Sequence, residues 1–219
     1  MTNFVQWLLS IDTLFLAIII AVSISLHEFA HAWMADRLGD PTPASQWRVT
    51  LNPLAHIDPI GFILIFIIGF WWGRPVLYNP NYLQDPIKDE AKIAFAWPIM
   101  NIILAMIGIL VLIIYGMITW PGQDLVIAFF LQWSYLNIAL AVFNMIPLPP
   151  LDGYRLIQLF APQTMRRMAQ YGQYILIWFV LIFIFGPGSG VLFSFISGVT
   201  QAIFQFLFVI ISYPFGLLI

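Results

Sequence analysis

Residues 14–35 read LFLAIIIAVSISLHEFAHAWMA, and this stretch decides the fold class. Its length and apolar character fit a helix that crosses a bilayer, which takes about 20 mostly apolar residues. Near its end stand His27, Glu28 and His31. Ionisable side chains inside a spanning helix are costly and mark a functional site. The stretch therefore predicts a membrane protein with polar chemistry built into a spanning helix.

The composition of the whole chain supports the same class. Hydrophobic residues make up 62% and charged residues 8% of the chain, against about 45–50% and about 25% in globular domains. With 8 Lys and Arg against 10 Asp and Glu, the chain lacks the basic surface of a nucleic-acid binder. A soluble enzyme and a disordered chain are also excluded. The absence of cysteine excludes a disulfide framework and a cysteine-based zinc site.

Apolar runs predict an all-α integral membrane protein with about five transmembrane helices in the lipid bilayer. They cover roughly residues 14–35, 93–120, 125–146, 171–185 and 191–212. Pro147, Pro149 and Pro150 should end the third run, because proline cannot continue a helix. Residues 1–10 carry no Lys or Arg, which argues against a cleaved secretory signal.

A shorter apolar run at residues 60–72 predicts a re-entrant segment, because about 13 residues are too few to span. Its flanks are both basic and carry Arg37, Arg48, Arg74, Lys88 and Lys92. Since Lys and Arg collect on the cytoplasmic side, the run should enter the membrane and return to that side. The N-terminus would then lie outside and the C-terminus in the cytoplasm.

The spacing of His27, Glu28 and His31 is typical of a zinc-binding helix. Residues four apart lie on one helix face, so both imidazoles can bind one ion. Neutral imidazole is a good zinc ligand, and a glutamate beside the metal can take a proton from water. The chain holds only 3 His, so finding two of them here favours a metal site over polar residues that merely pack.

A catalytic zinc takes three protein ligands, so a third is needed, and His56 and Asp152 are the candidates. Asp152 follows a proline-rich, non-helical turn, and the predicted topology puts that turn on the same cytoplasmic side as the zinc helix. An interfacial turn capped by Asp152 is the alternative. Other carboxylates are expected as solvated or interfacial charges: Asp12, Asp36, Asp40, Asp85, Asp89, Glu90 and Asp124.

Three motifs in order make the chain resemble the site-2 protease family of zinc-dependent intramembrane proteases. The first is the zinc helix with His27, Glu28 and His31. The second is the stretch from Arg48 to Gly61, RVTLNPLAHIDPIG, and the third runs from Asn144 to Gly153, NMIPLPPLDG. The resemblance covers most of residues 20–160.

The resemblance implies a reaction and a ligand set. His27, His31 and Asp152 would bind one Zn2+ per chain, and Glu28 would be the general base. The substrates would be transmembrane proteins, cut in or near their spanning segments as in regulated intramembrane proteolysis. If the segment at 60–72 is strand-like, it could supply an edge on which an unwound substrate adds as a strand.

Three further residues are expected near the substrate or behind the ligands. Asn144 could hold an extended substrate backbone, or it could be a polar helix-packing residue. His56 would orient a ligand or polarise the substrate. Asn101 ends the segment AWPIMN at 96–101, where the family usually has Ala-Gly-Pro-x-x-Asn. Trp97 in place of that glycine removes a site of close helix approach.

The domain organisation implied is a single transmembrane protease domain over residues 1–219. Its core would cover about 12–160, with accessory C-terminal helices at about 170–215 and no appended regulatory domain. The expected location is the cell membrane of a prokaryote, with the active site towards the cytoplasm.

A membrane metal transporter or channel with a His/Asp metal site is the alternative function. It predicts ionisable groups spread through the depth of the membrane, whereas those of this chain cluster in one predicted layer. It also gives Glu28 no distinct task.

Overall fold

The computed structural model describes residues 10–68, 73–118, 124–149, 151–172, 174–175, 177–178, 181 and 189–216. Within these ranges the regular structure is helical and no β-strand occurs, which confirms the all-α class. The α-helices are α1 (Ile11–Arg37), α2 (Thr42–Ser45), α3 (Pro59–Ile68), α4 (Pro86–Ile118), α5 (Asp124–Asn144), α6 (Gly153–Phe160), α7 (Pro162–Gln170) and α8 (Ser189–Ser212). Single 3-10 turns occur at Pro53–Ala55, Pro80–Tyr82 and Tyr213–Phe215.

Four of these helices, α1, α4, α5 and α8, are long and apolar enough to cross a membrane. A multi-pass membrane protein is thereby confirmed. The helix predicted at 171–185 lies only in part within the described residues. The total of about five spans therefore stays a prediction.

Local sequence sets both ends of α1. Ser10 caps its start, accepting a hydrogen bond from the Thr13 backbone N–H at 3.2 Å. At the other end Gly39 adopts a left-handed backbone with φ +100°, which a residue with a Cβ rarely adopts. Pro41 follows, so the chain leaves the helix shortly after His27, Glu28 and His31.

The segment at 60–72 is helical where it is described. Asp58 caps α3, because its Oδ1 accepts hydrogen bonds from the backbone N–H groups of Ile60 at 3.0 Å and Gly61 at 2.9 Å. Ten helical residues rise about 15 Å, half the hydrocarbon thickness. The condition that the segment is strand-like is not met at residues 60–68, because an apolar run capped by Asp58 makes its backbone hydrogen bonds within a helix. Residues 69–72 lie outside the described ranges, and the re-entrant course stays a prediction.

The chain folds as two compact units, Met1–Pro86 and Ile87–Ile219. The second unit has an apolar core of residues from α4, α5 and α8: Ala105, Ile109, Ile113, Ile138 and Leu207. Gly108 allows α4 and α5 to approach closely, because a Cβ there would lie 2.4 Å from Ser134 Oγ. The Trp133 indole N–H donates to the Leu104 carbonyl across the same contact, at 2.7 Å.

Helix α4 begins seven residues earlier than the predicted start at residue 93. Pro86 opens it, and proline suits the first turn, where the backbone N–H needs no helical acceptor. The expectation that Asp89 and Glu90 are solvated loop charges is wrong. Asp89 is buried and pairs with Lys92 at 2.7 Å one turn later, while Glu90 is only partly exposed. The proline start and the Asp89–Lys92 pair thus allow the helix to include the polar residues at 86–92.

The proline-rich segment ends α5 as predicted. The helix stops at Asn144, three residues before Pro147, and α6 starts at Gly153. Between them the chain makes tight turns, with the Leu148 N–H donating to the Ile146 carbonyl at 2.8 Å. Asp152 is therefore the last residue before a new helix.

A candidate metal centre and its two supporting turns

The His27 and His31 rings lie side by side on α1. Their centroids are 4.7 Å apart and the ring planes meet at 79°. His31 is buried, and His27 is partly exposed. Two neighbouring imidazoles on one helix face are a donor pair that zinc prefers. This part of the chain therefore fits a metal ion.

Glu28 is held with its two oxygens in different environments. Its Oε1 lies 3.5 Å from His27 Nε2. Its Oε2 accepts a hydrogen bond from the Val76 backbone N–H at 3.0 Å, from a residue 48 positions later in the chain. The Glu28 side chain is 11% exposed, so this orientation is set inside the protein.

The non-helical segment at residues 73–79, called the 73–79 segment below, is fixed on both sides of Val76. The Arg74 N–H donates to the His56 carbonyl at 2.9 Å, and the Asn79 N–H donates to Asp40 Oδ2 at 2.6 Å. The Arg48 guanidinium donates to the Ala55 carbonyl and, at 3.4 Å, to the Pro75 carbonyl.

Asp40 is a structural carboxylate that sequence reasoning missed. The sequence predicts an interfacial charge here, but Asp40 is fully buried. Its Oδ1 accepts hydrogen bonds from the Thr42 N–H at 2.9 Å and the Thr42 hydroxyl at 2.5 Å, in addition to the Asn79 bond on Oδ2. The Asp-Pro-Thr sequence signals the local part of this turn. Nothing in the sequence signals the contact with Asn79.

His56 is fully buried in the first unit, and it lies outside the residue ranges of the helices that could cross a membrane. Its Nε2 lies 2.8 Å from the Thr50 carbonyl, so Nε2 carries the proton and donates it there. Burial lowers the pKa of His56, and the Arg48 charge lowers it further, against the opposing effect of the Thr50 hydrogen bond. His56 is therefore a neutral imidazole whose ring binds the Thr50 carbonyl, while its own backbone carbonyl accepts the Arg74 N–H of the 73–79 segment.

Asp152 belongs to the second unit and is partly exposed. It has helical dihedrals, φ −66° and ψ −31°, and its side chain does not cap α6. Gly153 packs tightly against the preceding turn. A Cβ on residue 153 would lie 2.3 Å from the Met145 carbonyl oxygen and 2.7 Å from the Ile146 carbonyl oxygen. The position of Asp152 therefore depends on a glycine at 153.

Glu90 fastens α6 to the start of α4 within the second unit. Its Oε2 accepts from Gln158 Nε2 at 3.1 Å and lies 3.5 Å from Arg155 Nη1. The Gln158 amide also donates to the Ile87 carbonyl at 3.2 Å. Burial raises the pKa of Tyr154 on the same helix. The helix that follows Asp152 is thus attached by polar contacts as well as by Gly153.

Asn144 and Asn101 are both polar groups within the apolar second unit. Asn144 donates to the Leu140 carbonyl of its own helix at 3.3 Å. Asn101 is fully buried, and among the described residues neither its amide nitrogen nor its oxygen has a hydrogen-bond partner. Trp97 is also buried, so the side chain that replaces the family's usual glycine packs inside the protein.

The chain is similar to proteins that are named zinc metalloproteases. The sequence profile of Peptidase family M50 matches residues 117–187. "Putative zinc metalloprotease YwhC" of Bacillus subtilis (strain 168) is 39% identical over 199 residues, covering 87% of this chain and 90% of that protein. "Putative zinc metalloprotease Rip2" of Mycobacterium tuberculosis H37Rv is 29% identical, covering 74% of this chain and 64% of its own. No solved structure matches the chain significantly.

Proposed function

The chain belongs to peptidase family M50, the site-2 protease family, and is a zinc metalloendopeptidase; on that premise we propose that it hydrolyses peptide bonds in or near transmembrane segments of substrate proteins. The single observation that carries the proposal is the arrangement on α1, where a histidine pair stands beside a carboxylate that a distant backbone N–H orients. A helix that served only for packing would not need an oriented carboxylate beside a histidine pair.

We propose that His27, His31 and Asp152 hold one zinc ion per chain. The donor chemistry supports this set, because two imidazoles and one carboxylate are the three protein ligands that a catalytic zinc would take. A carboxylate also offsets part of the ion's charge in a low-dielectric site. When bound, zinc supplies Lewis-acid polarisation of the scissile carbonyl and lowers the pKa of the attacking water.

Glu28 is proposed as the general base and, later, the general acid. It takes a proton from the attacking water and gives it to the leaving amine. A carboxylate has about four lone-pair sites, so Oε2 can accept the Val76 N–H while Oε1, beside His27, receives the proton. Burial keeps bulk water from competing for this carboxylate.

Supporting roles are proposed for three other residues. The His56 ring binds the Thr50 carbonyl and the His56 carbonyl accepts the Arg74 N–H, so His56 acts on the site by holding the 73–79 segment. The Asn144 amide donates a hydrogen bond to its own helix in this structure. With substrate bound, it would instead donate to the extended substrate backbone. Asn101 would accept or donate a hydrogen bond within the substrate-bound enzyme, since its amide is otherwise unsatisfied among the described residues.

The orientation proposed places the active site towards the cytoplasm in the cell membrane of a prokaryote. Its support is the clustering of Arg37, Arg48 and Arg74 around the zinc helix and the segment that follows. A helical substrate hides its carbonyls in backbone hydrogen bonds, so it has to unwind locally before cleavage.

The test is cleavage of a single-span substrate in proteoliposomes, with the scissile bond mapped by mass spectrometry. We expect a cut in or near the spanning segment, loss of cleavage with a chelator, and recovery on adding zinc. Zinc flux is measured in the same vesicles. Zinc flux without cleavage of the substrate would contradict the protease proposal and support the metal transporter instead.

A further inference from the structure

Besides the Arg48 contact with the Pro75 carbonyl, three backbone N–H groups attach the 73–79 segment to the rest of the first unit. Those of Arg74 and Asn79 reach the His56 carbonyl and Asp40 Oδ2. Between them, the N–H of Val76 reaches Glu28 Oε2 at 3.0 Å. Two of these bonds end on acceptors that hold the fold together, and the middle one ends on the proposed general base.

The middle bond selects which oxygen of Glu28 faces the histidines. Hydrogen bonds from a backbone N–H to a carboxylate are about twice as strong as neutral ones. With Oε2 held by Val76, rotation of the carboxylate is restricted and Oε1 stays 3.5 Å from His27 Nε2. Without the bond, the carboxylate could turn about its last torsion, which has a broad preference.

The outer bonds make the middle one rigid. Asp40 is fully buried, and its other oxygen is taken by Thr42, so it offers Asn79 a fixed acceptor. His56 is also fully buried and is held through its own ring. The Val76 N–H is therefore presented from a segment that is fixed two residues before it and three residues after it.

We propose that the Val76 backbone amide is a positioning group for catalysis, which aims Glu28 Oε1 at the reacting water. The inference rests on the proposed function. The apolar side chain of Val76 is not involved, so a search of the sequence for catalytic side chains cannot find this group. What matters is one N–H at one point of the chain.

The sharpest test replaces the Val76 amide with an ester by incorporating the matching α-hydroxy acid, which removes the N–H and keeps the side chain. The same ester at Leu77 is the matched control. Leu77 is exposed, and in the described part of the chain its N–H makes no hydrogen bond. Val76→Pro and Leu77→Pro form a second, genetically simple pair.

We expect the Val76 ester to lower kcat about ten- to hundredfold, the effect typical of losing a hydrogen bond to a charged group. KM, zinc content and the unfolding midpoint should stay at the values of the Leu77 ester. Equal kcat in the two esters would overturn the inference. Loss of zinc from the Val76 ester alone would also overturn it, because the amide would then serve the metal site and not the base.

Wild type and Glu28→Gln are measured in the same assay. If the wild type cleaves and Glu28→Gln does not, equal kcat in the two esters refutes the positioning role alone. If the wild type fails to cleave, or Glu28→Gln cleaves as fast, the proposed function and this inference fall together.

Discussion

Gly153→Ala should damage the turn that carries Asp152 through a clash that the structure locates. The added Cβ would lie 2.3 Å from the Met145 carbonyl oxygen, 2.5 Å from the Met145 carbonyl carbon and 2.7 Å from the Ile146 carbonyl oxygen. All three are backbone atoms, so no side-chain rotation relieves the contact. To restore ordinary contact at 3.4 Å, the turn must shift by about 1 Å. Overpacking of this kind costs about 1–3 kcal/mol.

The shift should also reach the metal. If Asp152 is a zinc ligand, displacing it by about 1 Å should weaken zinc binding about ten- to hundredfold, the range seen when the support of a ligand is lost. The assay is zinc per protein after dialysis against buffered zinc, together with the thermal unfolding midpoint in detergent.

Gly116→Ala is the matched control for this change. Gly116 lies inside α4 with nothing within 4 Å of an added Cβ. Alanine there should raise stability by about 0.5–1 kcal/mol through helix propensity and leave zinc unchanged. The reasoning is refuted if Gly153→Ala keeps the midpoint and the zinc affinity of the wild type, because the turn would then tolerate a Cβ.

Three further outcomes are expected. Asp152→Ala should lose most of its zinc, whereas His56→Ala should keep zinc and cleave more slowly; the reverse pattern of zinc content would make His56 the third ligand. Because burial lowers the pKa of His56 below its usual value near 6.5, stability should be full above about pH 6.5 and fall as the pH drops towards the folded-state pKa. The decrease in stability with falling pH should be smaller in His56→Gln than in the wild type. An equal decrease in both proteins would show that other groups cause it. Labels at Arg48→Cys and Arg74→Cys should react from the same face of the membrane, and opposite faces would add a span.

Local patterns were sufficient to predict three of the long helices and the histidine pair. Apolar runs mark α1, α5 and α8, and the prolines after Asn144 end α5 because they cannot continue a helix. His27 and His31 meet because a helix places residues four apart on one face.

Contacts between distant parts of the chain could not be predicted in this way. The Val76 bond to Glu28 joins residues 48 positions apart through a backbone group that every residue but proline carries. Asp40 and Asp89 look like ordinary solvated charges in the sequence. They are buried because Asn79 and Lys92 satisfy them, and only the folded chain shows those partners.

Zinc content and substrate cleavage of Glu28→Gln, measured on the same preparation, test the central claim most directly. Glutamine keeps the size of the side chain but cannot accept the proton. We therefore expect zinc at the wild-type level and a cleavage rate at least about 10²–10⁴-fold lower. Glu28→Gln that cleaves like the wild type, or that loses its zinc, would contradict the assignment of Glu28 as general base.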